Sequence, residues 1–277
     1  RRASGDDTVP MAAVELDDRE QIARLLRQDP VLHAYELGDL DDFFWPHARF
    51  FGWEAAGGVG GVALLYTEPS PPVLIALDRE PLGRLEPLLR ALLPELPPVL
   101  SAHLSPELVR TVGGRYRVEG HGSHLKLGLT GALPLERIAA EPLAPGDLDE
   151  VQAFYAAAYP GTWFVPRMLE TGRYLGLREC GALVCVAGVH VYSPAWRVAA
   201  VGNVATLPER RGRGLATRAC GALCRLLLDD GIETIALNVR SDNAPALAAY
   251  RRIGFEVVAE YLEVRLAVTD TGAEAHP

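Results

Sequence analysis

Strand-like and helix-like patterns follow one another in the same order in the two halves of this sequence, and that repetition restricts the fold more than any single motif does. Asp17–Leu26 (DDREQIARLL) opens with acids that suit a helix N-terminus and sets its apolar residues on one face; Gly146–Tyr155 (GDLDEVQAFY) does the same. The hairpin-like stretch Arg49–Thr67, with glycines at positions 57, 58, 60 and 61, matches Tyr174–Tyr192, whose turn falls at Glu179–Gly181. Val99–Leu104 matches Thr234–Val239, and each leads into a short helix near Ser105 or Asn243. Each half closes on an alternating strand, His124–Leu129 or Tyr261–Leu266, and matched segments lie about 125 to 140 residues apart.

Each half therefore reads βααβββαβαβ, which predicts a mixed α/β (α+β) fold of two tandem lobes, each a twisted mixed sheet flanked by helices. The expected organisation is an N-terminal lobe over 11–130, a linker near Thr130–Glu141, a C-terminal lobe over 138–268, and tails at 1–10 and 269–277. A chain of 277 residues with 49% hydrophobic residues can bury such cores. RRASGDDTVP has no apolar stretch after its arginines, and the longest uncharged run of the second half, Gly181–Trp196, is broken by His190, Ser193 and Pro194. Neither a secretory signal nor a membrane span is expected, and the predicted address is the cytoplasm. A net charge of −9 argues against a nucleic-acid partner. Lys126, the only lysine, carries no functional weight at this level. Cys180, Cys185, Cys220 and Cys224 lack a CxxC spacing, so neither a disulfide framework nor a metal is expected, and Cys220 and Cys224 read as core residues of a helix.

One difference between the halves matters more than their likeness. After the strand Pro72–Asp78 the first half continues REPLGRLEPLLRAL, an ordinary helix entry, whereas the second half runs from VAAVGNV into ATLPERRGRGLATRA, Ala205–Ala219. A strand entering a glycine-rich turn that opens a helix aims free N–H groups and the positive end of the helix dipole at one point, which suits an anion. Gly212 and Gly214 allow close backbone approach, and Arg210, Arg211 and Arg213 add positive charge. The loop lacks the GK[ST] ending of a nucleotide triphosphatase, and the GxGxxA-like run Gly58–Ala63 precedes no helix, so it reads as a hairpin turn.

The ordered motifs of the second half resemble the GCN5-related N-acetyltransferase superfamily. Its R-x-x-G-x-G/A signature corresponds to Arg211-Gly-Arg-Gly214-Leu-Ala216, approached by Thr206-Leu-Pro208, and its downstream block to IALNVRSDNAPALAAYRRIGFEV, Ile235–Val257. The resemblance covers Ile138–Leu266; the first half shares only the element order, so the chain is similar in plan to the two-lobed glycine N-acyltransferase-like and FR47-like branch. What the resemblance implies is transfer of an acyl group, usually acetyl, from acetyl-CoA or another acyl-CoA to the amine of a small molecule or peptide in a ternary complex. A coenzyme-binding sensor or scaffold without turnover is the alternative, and a homodimer is a further possibility.

By the same resemblance, the coenzyme's pyrophosphate would sit on Arg211, Gly212, Arg213, Gly214, Leu215, Ala216 and Thr217, and its pantetheine arm along the strand Gly202–Thr206, with Val204, Ala205 and Thr206, splayed from Thr234–Arg240. Asn238 and Asn243 would add coenzyme contacts, Asn243 also being suited to cap a helix. An N–H near Asn203 or Val204 would stabilise the reacting carbonyl, and Tyr250 falls on the general-acid position. The family's glutamate on the strand before the loop is missing from Trp196–Thr206, which leaves His190 as the first candidate base, with Glu263, Tyr192 or a water chain from Asn203 as other routes. Tyr159, Trp163, Phe164 and Arg167 are candidate acceptor-pocket walls, and the acidic aromatic stretch Ala34–Trp53, with Glu36, Asp39, Asp41 and Asp42, could close the same cleft from the first half or be a solvated helix end.

Overall fold

A computed structural model describes residues 12–55, 58–68, 70–79, 85–130, 133 and 140–269. The expected tail 1–10, all of 269–277 except Thr269, and most of the expected linker lie outside the described residues. The first half contains β1 (Val14–Leu16), α1 (Arg19–Leu26), α2 (Ala34–Gly38), β2 (Ala48–Ala55), β3 (Gly58–Tyr66), β4 (Val73–Ala76), α3 (Leu85–Leu92), β5 (Val99–Leu104), α4 (Val109–Val112) and β6 (Tyr116–Leu129). The second contains β7 (Glu141–Pro142), α5 (Leu148–Ala158), β8 (Leu175–Glu179), β9 (Ala182–Ser193), β10 (Val198–Thr206), α6 (Leu215–Asp229), β11 (Thr234–Arg240), α7 (Ala244–Ile253) and β12 (Phe255–Val268). The place of α2 is taken in the second half by a 3-10 turn, Pro166–Thr171, entered by a proline and ended by Gly172 at φ 63°. The repeat read from the sequence is thus present element by element.

Strand pairing repeats as well. β2–β3 and β3–β4 are antiparallel and β4–β5 parallel, as β8–β9 and β9–β10 are antiparallel and β10–β11 parallel. The GxGxxA-like run is indeed in a hairpin, as the start of β3. The β8–β9 turn is made by Cys180 and Gly181, both at positive φ, the geometry that matches strand twist in a two-residue hairpin loop.

The sixth strand of each half is exchanged. Leu262–Ala267 of β12 pairs antiparallel with β5 of the first half, and His124–Gly128 of β6 pairs antiparallel with β11 of the second. The chain accordingly divides into two compact units that cut across the halves. One takes the described residues up to Leu25, His47–His121 and those from Leu262 on; its strand order is β1-β2-β3-β4-β5-β12. The other takes Leu26–Pro46 and Gly122–Tyr261, with order β6-β11-β10-β9-β8-β7, so α2 leaves the half that encodes it.

Each unit has its own core. In the first, Leu85, Leu88, Leu89 and Leu92 of α3 pack with Ala102 and Leu104 of β5. In the second, the i, i+4 stripe Leu215, Ala219, Leu223 and Leu227 of α6 is buried, and the helix packs on β8, β9 and β10. Burying each of those leucines contributes about 2 kcal/mol, which anchors the helix whose N-terminus carries the glycine loop. Cys185, Cys220 and Cys224 are buried, Cys180 is exposed, and all four are free thiols. Among the described residues no helix is long and apolar enough to cross a membrane.

Candidate functional site

The parallel ladder between β10 and β11 starts at Val198 opposite Thr234 and ends at Val201 opposite Leu237, although β10 continues to Thr206 and β11 to Arg240. Beyond that point β11 keeps its antiparallel partner β6 on one side, and β10 keeps β9 on the other. Two bulges accompany the opening. Ala200 faces Val191 while Val201 faces Val189, so His190 is an extra residue on β9; Gly202 faces Gly188 while Ala205 faces Val186, so β10 carries an extra residue at Asn203–Val204. Bulges bend a strand and re-aim its side chains, and here they act on His190 and Asn203, two of the residues singled out in the sequence. Asn203 adopts φ 53°, a left-handed conformation that asparagine tolerates better than most residues. Gly202 lets the imidazole lie close, since a Cβ there would fall 2.4 Å from His190 Nε2.

A chain of polar side chains runs through these bulges. Tyr174 donates its hydroxyl proton to the Val189 carbonyl (3.1 Å), a stronger acceptor than the neighbouring Met168 sulfur, and accepts from Asn203 Nδ2 at 2.8 Å. The amide oxygen of Asn203 accepts from Thr162 Oγ1 (2.9 Å) and lies 3.2 Å from His190 Nε2. His190 Nδ1 lies 3.2 Å from the Tyr35 hydroxyl on α2. Tyr155 of α5 donates to the Asn203 carbonyl at 2.7 Å, pinning the bulge from the backbone side.

At the far end of β10 the chain passes through the 3-10 turn Pro208–Arg210 to Gly212 and Gly214, both at positive φ, and α6 begins at Leu215 without a side-chain cap. The Arg218 N–H reaches the Gly214 carbonyl at 3.0 Å, which places the N–H groups of Leu215, Ala216 and Thr217 ahead of the helical ladder, at the positive end of the dipole. The arginines contribute less than the sequence suggests. Arg211 donates to the carbonyls of Thr206 (3.2 Å) and Ala158 (2.9 Å) and so braces the loop on α5, while Arg213 (2.9 Å) and Arg210 (3.3 Å) pair with Glu179. An anion placed here would meet main-chain N–H groups, since the three arginines are engaged with Thr206, Ala158 and Glu179.

The other expected residues divide by role. Tyr250 on α7 is partly buried with its ring edge-on to Phe255, and burial, with smaller contributions from Cys220, Tyr35, Tyr159 and Cys224, pushes its hydroxyl far above the ordinary tyrosine range. Asn238 on β11 buries an amide oxygen with no hydrogen-bond partner. Asn243 caps α7, its Oδ1 accepting from the Ala246 N–H at 3.2 Å. Ala205 is buried, and Thr206 donates to the Cys185 sulfur at 3.3 Å. Of the alternative bases, Glu263 lies in the other compact unit beside His103, and the Tyr192 hydroxyl is engaged with Arg173 and Asp230. Trp163 meets the His190 ring edge-on at 5.1 Å, and Tyr159 is exposed. Phe164 packs between Tyr155 and Tyr174, and Arg167 stacks on Phe43 at 4.2 Å while donating to its carbonyl, so both hold structure together.

The acidic stretch comes to this unit as far as Pro46, but of its carboxylates only Asp42 is exposed. Glu36 and Asp39 are buried, and Asp41 accepts from Ser193 at 2.7 Å. Burial works against ionised Glu36, yet the hydrogen bond from His33 and the charges of His33 and Lys126 hold it below its ordinary value; burial and the Glu36 charge push Asp39 well up. Lys126 is 1% exposed with its ammonium 4.6 Å from the centre of the Tyr35 ring, and burial lowers its pKa against the opposing charges of Glu36 and Asp29. A sole lysine set among leucines in a strand was the signal for this buried charge. Tyr35 was legible only as part of a longer acidic aromatic run.

Comparison with known proteins meets this geometry. Residues 137–255 match the sequence model of the Acetyltransferase (GNAT) family. A mycothiol acetyltransferase from Clavibacter michiganensis subsp. michiganensis is 33% identical over 140 residues, covering 49% of this chain and 41% of that protein, so the chain spans well under half of that relative's length. A solved Drosophila protein structure is similar with TM-score 0.70 and 13% identity over 93% of this chain and 99% of its own. A tandem GNAT protein from the clavulanic acid biosynthesis pathway is similar with TM-score 0.51 and 17% identity over 92% of this chain and 98% of its own. These two likenesses extend the shared fold across both halves. Residues 137–255, which lie wholly in the unit that holds the opened ladder and the α6 loop, are thus the part of this chain that matches the acetyltransferase (GNAT) family.

Proposed function

We propose that this chain is an N-acyltransferase that moves an acetyl group from acetyl-CoA to a primary amine of a small molecule or peptide, the amine attacking directly while both substrates are bound. The observation that carries the reading is the β10–β11 ladder ending at Val201 and Leu237, in line with uncapped N–H groups at the start of α6. The residues fit such a ligand. The main chain of Gly212–Thr217 suits a pyrophosphate, the freed edge of β10 over Asn203–Thr206 suits an amide-bearing arm as an added strand, and the buried Asn238 oxygen lacks the donor that an amide N–H would supply.

Acetyl-CoA supplies the activated thioester. Tyr250 keeps its proton at neutral pH because burial disfavours its anion, so it serves as an acid toward a leaving thiolate. His190 takes up the proton lost by the amine, in place of an acid on β10. The similarity to a mycothiol acetyltransferase supports acetyl as the group transferred. Calorimetric titration with acetyl-CoA, followed by thiol release against a panel of amines, tests the reading. Binding with release supports it; binding without release favours a coenzyme sensor; a folded sample that does not bind overturns it.

A further inference from the structure

We infer that Tyr35, a residue encoded in the first half of the chain, is the proton carrier between the acceptor amine and His190. The inference rests on the acyl-transfer reading above and starts from the hydrogen-bond directions around Asn203. A carbonyl only accepts, so the Tyr174 proton goes to Val189, and Tyr174 oxygen must accept from Asn203 Nδ2. That fixes the Asn203 amide with its oxygen toward His190 Nε2, 3.2 Å away. An amide oxygen only accepts, so Nε2 carries the hydrogen and Nδ1 the lone pair. The lone pair in turn meets the Tyr35 hydroxyl at 3.2 Å, which donates to it.

The basic atom of His190 is therefore covered by a phenol, and a proton reaches it through that phenol. Helix α2 brings Tyr35 there by packing on β9, β10 and β11, at a close approach where a Cβ on Gly38 would lie 2.8 Å from the Val191 Cβ. Tyr35 is also within electrostatic range of Tyr250, the candidate acid. The groups against the pair are Lys126 from β6, Trp163 from the loop after α5 and Asn203 from β10, with Glu36 of α2 acting on Lys126 and Tyr250 of α7 coupled electrostatically to Tyr35. The Lys126 ammonium over the Tyr35 ring favours negative charge on the phenol oxygen during transfer.

The step balances without a further reactant. An N–H bond of the ammonium form of the acceptor breaks as its proton passes to the Tyr35 oxygen, and the Tyr35 O–H bond breaks as its proton passes to His190 Nδ1. The amine gains its lone pair, Tyr35 is neutral before and after, and His190 becomes imidazolium with Nε2–H held by the Asn203 oxygen. After the product leaves, the proton returns to water through the same hydroxyl.

The test uses the full chain labelled with nitrogen-15 at histidine, the His190 signal being assigned by its loss in His190→Gln. The expected result is the Nε2–H tautomer in the wild type. Tyr35→Phe is expected to lower turnover by about 100-fold at unchanged acetyl-CoA affinity. The variant should also lose the imidazole limb of the kcat/KM pH profile, and Tyr35→Phe with His190→Gln should cost no more than either alone. An Nδ1–H tautomer, wild-type turnover in Tyr35→Phe, or additive losses in the double variant overturn the relay while leaving acyl transfer standing. Absence of acetyl-CoA binding by the wild type overturns both. If Tyr35→Phe fails to fold, the wild-type tautomer decides.

Discussion

The two parallel strand pairs occupy the same place in the repeat and end in opposite ways. β4 pairs with β5 from Val73 opposite Ser101 to Ala76 opposite Leu104, the last residue of each strand. Ser105 then fastens the end: its N–H donates to the Ala76 carbonyl (3.1 Å), and its hydroxyl accepts from the Asp78 N–H (2.9 Å) and donates to the Asp78 carbonyl (3.0 Å). At the corresponding end of β11 the chain turns the other way, the Ser241 N–H donating to the carbonyl of Ser123 in β6. β3 and β4 pair in regular register, whereas β9 and β10 carry the two bulges. The same architecture thus yields a fastened seam in one unit and, in the other, a β10 edge that β11 does not pair beyond Val201. Only the second pair leaves its strands parted before their ends.

Four substitutions would break or sharpen that contrast, in falling order of effect. Gly214→Glu places a side chain and a negative charge where the N–H groups of α6 converge, at φ 72°, and is expected to weaken acetyl-CoA binding by about 100-fold or more; unchanged affinity by calorimetry would move the phosphate site elsewhere. Tyr250→Phe keeps the ring and removes the proton, so turnover should fall by about 10- to 100-fold at constant acetyl-CoA affinity. A wild-type rate in a chemistry-limited assay would end its role as acid.

Gly202→Ala drives a methyl group into the His190 ring and should cost about 1–3 kcal/mol, read as a lower midpoint in urea together with reduced turnover. A neutral result would show that the imidazole is free to move off β10. Ser105→Ala loosens the fastened seam for about 1 kcal/mol and should leave acetyl-CoA affinity untouched. A change in affinity would mean that the two strand pairs are not independent.

Much of the fold was legible because its signals are local. Alternation marked the strands, the i, i+4 stripe marked α6, and Asn243 before Ala-Pro marked the start of α7. The site was legible where chemistry sits in one continuous run: the loop Arg211–Thr217 lies at the start of α6, where the motif placed it. What escaped was the use of the side chains. Arg211 reads as a cation for a ligand and serves as a brace for two carbonyls, and the carboxylates of Glu36 and Asp39 read as closing a cleft or ending a solvated helix and are buried. Charge type is written in the sequence, but desolvation and partners are set by other elements of the fold, as Ala158 of α5 is for Arg211 and Lys126 of β6 for Glu36.

The sequence by itself determined the order of elements, their doubling, and the glycine-rich turn that only the second half carries, because periodicity, capping and glycine placement act between near neighbours. Tertiary structure decided which half's last strand each sheet would take, where α2 would dock, and how two bulges would bring Tyr35, His190 and Asn203 into one hydrogen-bonded row. The physical reason is that β6 and β12 carry the same alternating pattern, so nothing local distinguishes their partners, and a bulge is a mismatch of register that exists only once two strands are paired.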